Sequence, residues 1–271
     1  MKTLLCLISV AISTNAWAYG MEDFETPHAL SVAAGVASPS VTTAITENPA
    51  GLAYNQQFKI MAEGTTNTYV FDTIGMGGTL YAGNGFVGGG LGLSTFSNTA
   101  TAPFTQGILN AGIGMQITAI NLAFGTSFHY AIWNTTGANT YWGTNATWGI
   151  TAGILGRPNG PLRVGVSAYQ IGTGAEFVGL GVTFEPSDWA NITVDANQYI
   201  RGPGTVLKPG LAIHFYNFQM GLGYGIPLLV GGMGTSTGPE ISIGGRFGQN
   251  FRAEAYYNQL ALISLRIIVM I

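Results

Sequence analysis

Leu122–Trp133 reads LAFGTSFHYAIW, and parity splits it into two chemistries. The even positions are Leu122, Phe124, Thr126, Phe128, Tyr130 and Ile132; the odd ones include Ala123, Gly125, Ser127, His129 and Ala131. Successive side chains of a strand point to opposite faces, so one face here is apolar and the other small and polar. Which of the two faces meets water depends on where the rest of the chain puts its charges.

The alternation begins at Gln57 and continues to the C-terminus. Turn residues divide it into fourteen predicted strands, at 57–63, 70–81, 85–96, 105–117, 122–133, 142–156, 162–171, 176–185, 189–200, 205–216, 218–226, 239–247, 251–257 and 260–271. Lengths near ten residues suit strands tilted across a membrane. Short connections (Ala82–Asn84, Thr118–Asn121, Pro158–Pro161, Pro186–Asp188, Asn217, Gly248–Asn250) alternate with mostly longer ones. The longer set is Gly64–Tyr69, Ser97–Phe104, Asn134–Tyr141, Gly172–Ala175, Arg201–Gly204 and Pro227–Gly238. Outer-membrane barrels pair tight periplasmic turns with longer outer loops in this way. The break at Asn258 has no Gly or Pro to mark it, and twelve strands is the alternative count.

Composition agrees with a membrane protein that lacks membrane helices. Charged residues are 8% of the chain and hydrophobic ones 47%, where soluble domains carry roughly 25% charged. Yet after residue 18 no apolar run approaches the roughly 20 residues a membrane helix needs; the longest, Leu260–Ile271, is broken by Ser264 and Arg266. Lipid requires every backbone polar group to be paired, which leaves a closed barrel. Lys2, the apolar stretch Leu4–Ile12 and Ala16-Trp17-Ala18 predict a secretory leader over residues 1–18. The single cysteine, Cys6, falls inside it, so the mature chain has no disulfide and no thiolate metal site. The full chain carries a net charge of −3, with no basic patch to suggest a nucleic-acid partner.

Face assignment then decides the environment. Leu162, Val164, Val166 and Ala168 share one parity, as do Val178, Leu180, Val182 and Phe184, then Leu211, Ile213 and Phe215, then Phe218, Met220, Leu222, Tyr224 and Ile226. The opposite parity holds the candidate lumen-lining set His129, Arg163, Asp195, Lys208, His214, Arg246, Arg252, Glu254 and Arg266. An arginine facing lipid at mid-depth costs about 2–4 kcal/mol, so charges inward and apolar residues outward is the segregation a membrane barrel requires. A soluble barrel reverses it. Tyr81, Trp133, Trp142, Trp189 and Tyr199 lie near predicted strand ends and read as interfacial girdles.

Residues 19–55 are different: rich in Ala, Ser, Thr and Val, with Pro27, Pro39 and Pro49 and no period of two. They read as a compact non-barrel segment folded into the barrel mouth, ahead of a barrel spanning 56–271. Pro49 fixes its own φ and turns Asn48 away from helix, the Asn48 amide can bond nearby backbone, and Gly51 allows a sharp turn. Residues 29–54, ALSVAAGVASPSVTTAITENPAGLAY, resemble the N-terminal segment of the FadL-like family of outer-membrane transporters for long-chain fatty acids and hydrophobic compounds. The resemblance rests on the Ala/Gly-rich stretch, the Ser/Thr stretch and Asn48-Pro49-Ala50-Gly51-Leu52-Ala53 just before the first strand. It implies an N-terminal hatch in a fourteen-strand barrel, with Asn48, Pro49 and Ala50 belonging to the hatch.

Other chemistry is sparse. His28, His129 and His214 have no close ligand spacing, so no metal and no cofactor is expected, and a lumenal histidine reads as solvated. Ser167 or Ser242 with His129 or His214 carries no local signature of a hydrolase, and the chain reads as a non-enzyme. Gly88-Gly89-Gly90-Leu91-Gly92 and Gly221-Leu222-Gly223-Tyr224-Gly225 sit within alternating strands and are followed by no Gly-Lys-Ser/Thr. They read as small residues that ease curvature and leave room inside. The charged set, with Arg157, braces the plug or tunes selectivity. Leu260, Leu262, Ile268 and Met270, apolar on an inward parity, line a hydrophobic path or pack against the hatch. The function expected is hatch-gated passage of small hydrophobic molecules across the bacterial outer membrane. The alternative is an assembly barrel that docks a partner without transport. Expected partners are outer-membrane lipid, a small hydrophobic ligand and, during insertion, the barrel-assembly machinery.

Overall fold

A sheet that is apolar on one face and has an open edge is not stable in hydrocarbon, because the edge leaves N–H and C=O groups unpaired; closing the sheet removes the edge. In the computed structural model the chain does this with fourteen antiparallel strands, each bonded to its sequence neighbours and the last to the first. They are β1 (Lys59–Asn67), β2 (Thr73–Gly83), β3 (Val87–Asn98), β4 (Phe104–Ile117), β5 (Leu122–Thr135), β6 (Gly143–Gly156) and β7 (Leu162–Ile171). The second half is β8 (Phe177–Ser187), β9 (Ala190–Tyr199), β10 (Thr205–Phe215), β11 (Phe218–Leu229), β12 (Gly238–Phe247), β13 (Phe251–Asn258) and β14 (Leu262–Met270). The structure describes residues 36–37, 39, 43–54, 58–67, 73–98, 104–135, 143–157, 161–172, 176–187, 189–200, 204–215, 217–229, 238–248, 250–258 and 262–271. The predicted leader (1–18), His28 and Trp142 lie outside them.

Closure is a continuous ladder, from Lys59↔Met270 to Asn67↔Leu262. The count is therefore fourteen, and the Asn258 break is real: β13 ends there. The first three strands run two to four residues further than their predicted ends. Gly64, expected in a loop, stays inside β1, where its side-chain position opens onto free space. The first tight turn falls on Asn84-Gly85-Phe86 instead of Ala82–Asn84. Gly85 takes φ +85° and the Asn84 Oδ1 accepts from the Phe86 and Val87 N–H groups at 3.0 and 2.9 Å.

Parity is kept almost throughout. In the described strands every charged residue (Lys59, Glu63, Arg163, Glu185, Asp195, Lys208, Glu240, Arg246, Arg252, Glu254, Arg266) stands on the inward parity. The outward parity exposes Leu, Ile, Val, Phe and Met along nearly every strand, Leu180 by 52% and Leu265 by 62%. An apolar belt of that extent is stable in hydrocarbon and not in water. Two girdle assignments are corrected. Tyr81 faces inward and is buried against Met61 and Ile45, and Tyr199 faces inward against Phe177 at 5.0 Å. Both stand on the same parity as the glycines of the inner wall, where small neighbours leave space for a ring. Trp189 is 61% exposed at a turn.

Among the described strands the register shifts at three places, Thr205/Val206 between β10 and β11, Phe184/Ser187 between β8 and β9, and Ile150/Ala152 between β6 and β7; the last bears on the site. Ala152 pairs with Ala168 but Ile150 with Ile171, so Tyr169 and Gln170 together oppose Thr151. Gln170 takes φ +59°, a left-handed conformation unusual for a residue with a side chain. Its N–H, displaced from the ladder, donates to Thr151 Oγ1 at 3.3 Å.

Candidate functional site: the inner wall and the N-terminal segment

The described residues of the N-terminal segment lie against the inner wall. Residues 43–47 form a turn, with the Thr46 and Glu47 N–H groups donating to Thr43 O, and Pro49–Tyr54 forms a 3₁₀ turn packed on β3, β4, β5 and β6. Their contact with the wall needs the absence of side chains there. A Cβ on Gly125 would stand 2.2 Å from Pro49 C and 2.3 Å from Ala50 N; one on Gly165 would stand 2.1 Å from Val36 O. Gly88, Gly114 and Gly153 repeat the arrangement against Leu52, Pro49 and Asn48. Of the glycines read from sequence as room-makers, Gly88 meets the segment's backbone and Gly90 the Ile45 side chain, while Gly114, Gly125 and Gly165 lie outside those two stretches.

Asn48, Pro49, Ala50 and Gly51 sit at the centre of this contact. The Asn48 Nδ2 donates to Val36 O at 2.7 Å and to Ile154 O of β6 at 3.2 Å, and its Oδ1 accepts from the Ala50 N–H at 3.2 Å. Gly51 is required for space: a Cβ there would lie 2.5 Å from Pro39 Cγ. Two serines of the wall hold the segment's carbonyls, Ser127 donating to Ile45 O and Ser167 to Glu47 O, each at 2.5 Å. The Asp195 carboxylate accepts from the backbone N–H groups of Val36 and Ala37. Asn48→Ala removes three hydrogen bonds and strands buried groups at about 1–3 kcal/mol each. The expected result is faster hydrogen exchange across residues 43–54 with the wall strands unchanged.

His129 is not solvated, as the sequence reading expected; it is 0% exposed. Its Nδ1 donates to Asn110 Oδ1 at 2.7 Å, so in the uncharged ring Nε2 accepts, with Thr151 Oγ1 at 2.9 Å and Ser127 Oγ at 3.0 Å. Because Ser127 gives its proton to Ile45 O, Thr151 is the donor to Nε2. Serine, imidazole and amide are in the order of an acyl-transfer relay, yet the hydroxyl proton is engaged and the set is sealed beneath the segment. The cluster braces β4, β5 and β6 and, through Thr151, the Gln170 bulge.

The remaining candidates are spread around the wall; their ion pairs join β7 to β8 and β14 to β1 and β13, and one lies within β13. Arg163 of β7 grips Glu185 of β8 side-on through Nε (3.0 Å) and Nη2. Arg266 bonds Glu63 of β1 through Nε at 3.3 Å and Glu254 of β13 through Nη1 at 3.1 Å. Arg252 bonds Glu254 and Gln219, and Arg246 stands opposite it in register and is exposed. Lys208 is half-buried opposite Asp195. His214 pairs its backbone with Gln219, and its side chain lies outside the described residues. Arg157, just after β6, stacks over the Tyr54 ring at 4.4 Å. The apolar Ile268 and Met270 pack with Ile45 and Leu52.

Two residues of the site were missed from sequence. Glu63, at the end of the predicted first strand, is the buried partner of Arg266. Glu47, the only charged residue between Ala29 and Tyr54, had that isolation as its signal. It is half-buried overall, but its Oε2 is sealed from solvent and has no hydrogen-bond partner. Burial pushes its carboxyl up to about 8, with Lys208 pulling the other way.

No family model matches the chain, and no curated protein matches it. Solved structures do. The Ralstonia pickettii toluene transporter TbuX superposes with a TM-score of 0.59 at 10% identity, over 90% of this chain and 96% of that one. A Pseudomonas aeruginosa FadL homologue gives 0.58 at 9% identity, over 90% and 97%. The chain has the FadL-type fold. The P. putida toluene transporter TodX extends the likeness, with a TM-score of 0.57 at 10% identity over 84% of this chain and 91% of that one. Identities this low speak for the FadL-type architecture and not for cargo.

Proposed function

We propose that this FadL-type barrel passes small hydrophobic molecules across the bacterial outer membrane, and that residues 19–55 are its hatch. The observation that carries the reading is the glycine seat. A wall that gives up side chains at Gly88, Gly114, Gly125 and Gly165 to receive another backbone, and at Gly153 to receive the Asn48 amide, is built around a separate piece of chain. The described residues of that piece are held by hydrogen bonds and apolar packing, with no strand ladder among them, so they can leave without opening the barrel. The apolar cargo class draws on the fold likeness to toluene transporters. A captured molecule would shift the hatch and leave inward or sideways between strands.

The test is removal of residues 19–55. In planar bilayers the shortened barrel is expected to conduct continuously where the intact protein is nearly silent; equal conductance would refute the hatch. The packing of Ile268 and Met270 on the segment also suits a filled barrel that docks a partner without transport. Uptake of a hydrophobic carbon source by cells with and without the protein separates the two, since an anchor leaves uptake unchanged.

A further inference from the structure

We infer that ionisation of Glu47 unseats the N-terminal segment: uncharged, it holds residues 43–54 against the wall, and as a carboxylate it drives them off, opening the lumen as pH rises. This rests on reading the segment as a hatch and adds the trigger.

The geometry couples this one side chain to the seat. The Glu47 N–H donates to Thr43 O at 2.8 Å and its carbonyl accepts from Ser167 of β7 at 2.5 Å, while Asn48 beside it is bonded to β6. The Glu47 main chain is thus fixed both to the turn and to the wall, and Thr43 also bonds its carboxyl. Its Oε2 is sealed and unpartnered, a position a neutral acid tolerates far better than an anion. The groups facing it are Lys208 of β10, Asp195 of β9, Glu240 of β12 and Tyr256 of β13. Lys208 is the only cation among them, and in register it stands opposite Asp195. Three carboxyls therefore share the field of one ammonium, and a charge on Glu47 is the one that can be relieved by movement, because it is the only one carried by the segment.

The direction follows from proton linkage. Seated, the Glu47 carboxyl holds its proton up to a pH of about 8; released into water it loses it near the ordinary 4.5. The seated form thus binds more protons between those limits. Seating is at full strength below the lower limit, weakens by up to about tenfold per pH unit through the window, and has lost this contribution above the upper one.

The experiment compares bilayer conductance of the full-length protein, Glu47→Gln, Glu47→Asp and the protein without residues 19–55 at pH 5 and pH 9. The full-length protein and Glu47→Asp are expected to open on going to pH 9, Glu47→Gln to stay closed at both, and the deletion to be open at both. A pH response retained by Glu47→Gln overturns the inference. So does a flat full-length profile beside an open deletion, which leaves the hatch standing. A deletion no more conductive than the intact protein at pH 5 removes the hatch and the trigger together. Should Glu47→Gln fail to insert, hydrogen exchange on the full-length protein decides. After correction for intrinsic rates, residues 43–54 must accelerate with pH relative to the wall strands, and the absence of that acceleration overturns the inference.

Discussion

Replacing Gly125 by valine is expected to open the lumen while leaving the barrel as stable as before. The added Cβ would stand within 2.3 Å of Pro49 C, Pro49 O and Ala50 N, all backbone atoms that have no rotamer to escape into. Overpacking costs about 1–3 kcal/mol, and against rigid backbone the upper end applies, so seating should fall by roughly 150-fold. The wall itself has no reason to suffer, since a β-branched residue suits a strand. Single-channel conductance reads the opening, and the urea midpoint of the refolded barrel reads its stability. Gly107→Val is the control, because its Cβ meets nothing within 4 Å and conductance should not change. A Gly125→Val barrel that inserts normally and conducts no more than the parent would mean that the segment does not close the lumen.

Arg266→Met is expected to have the opposite profile, a weakened barrel with no selective effect on the segment. Arg266 is 3% exposed and ties β14 to Glu63 of β1 and to Glu254 of β13, at the seam where the last strand closes on the first. Glu254 keeps Arg252 as a partner, but Glu63 is left as a buried carboxyl without its cation. Removing one member of such a pair costs about 3–5 kcal/mol, whereas replacing both by apolar groups is often close to neutral. The urea midpoint should therefore fall sharply in Arg266→Met and recover in large part in Arg266→Met with Glu63→Leu. If the double variant is no more stable than the single one, the Arg266–Glu63 bond is not what secures the seam.

Much of this architecture was legible because a strand's side-chain period is two and is written locally. LAFGTSFHYAIW already separated the lipid face from the inner one, and the same rule placed Arg163, Asp195, Lys208, Arg252, Glu254 and Arg266 on the inward parity. What parity cannot say is what an inward residue touches. His129 shares its face with Arg163, yet one is sealed under Ile45 and Ser127 and the other reaches Glu185. Tyr81 looked like an interfacial anchor until the shift of the β2–β3 turn and the facing core residues Met61 and Ile45 explained its burial.

By itself the sequence determined the alternating strands, the beat of short and long connections, and the sorting of charge from hydrocarbon, each encoded within about a dozen neighbouring residues; closure of β14 on β1 decided fourteen strands over twelve. Only the tertiary structure decided that Ser127 would meet Ile45, Ser167 would meet Glu47, and Gly125 would receive Pro49. Those partners are far apart in the chain. Their meeting depends on the register accumulated around a closed sheet and on where a separate segment comes to rest inside it, quantities that no local pattern carries.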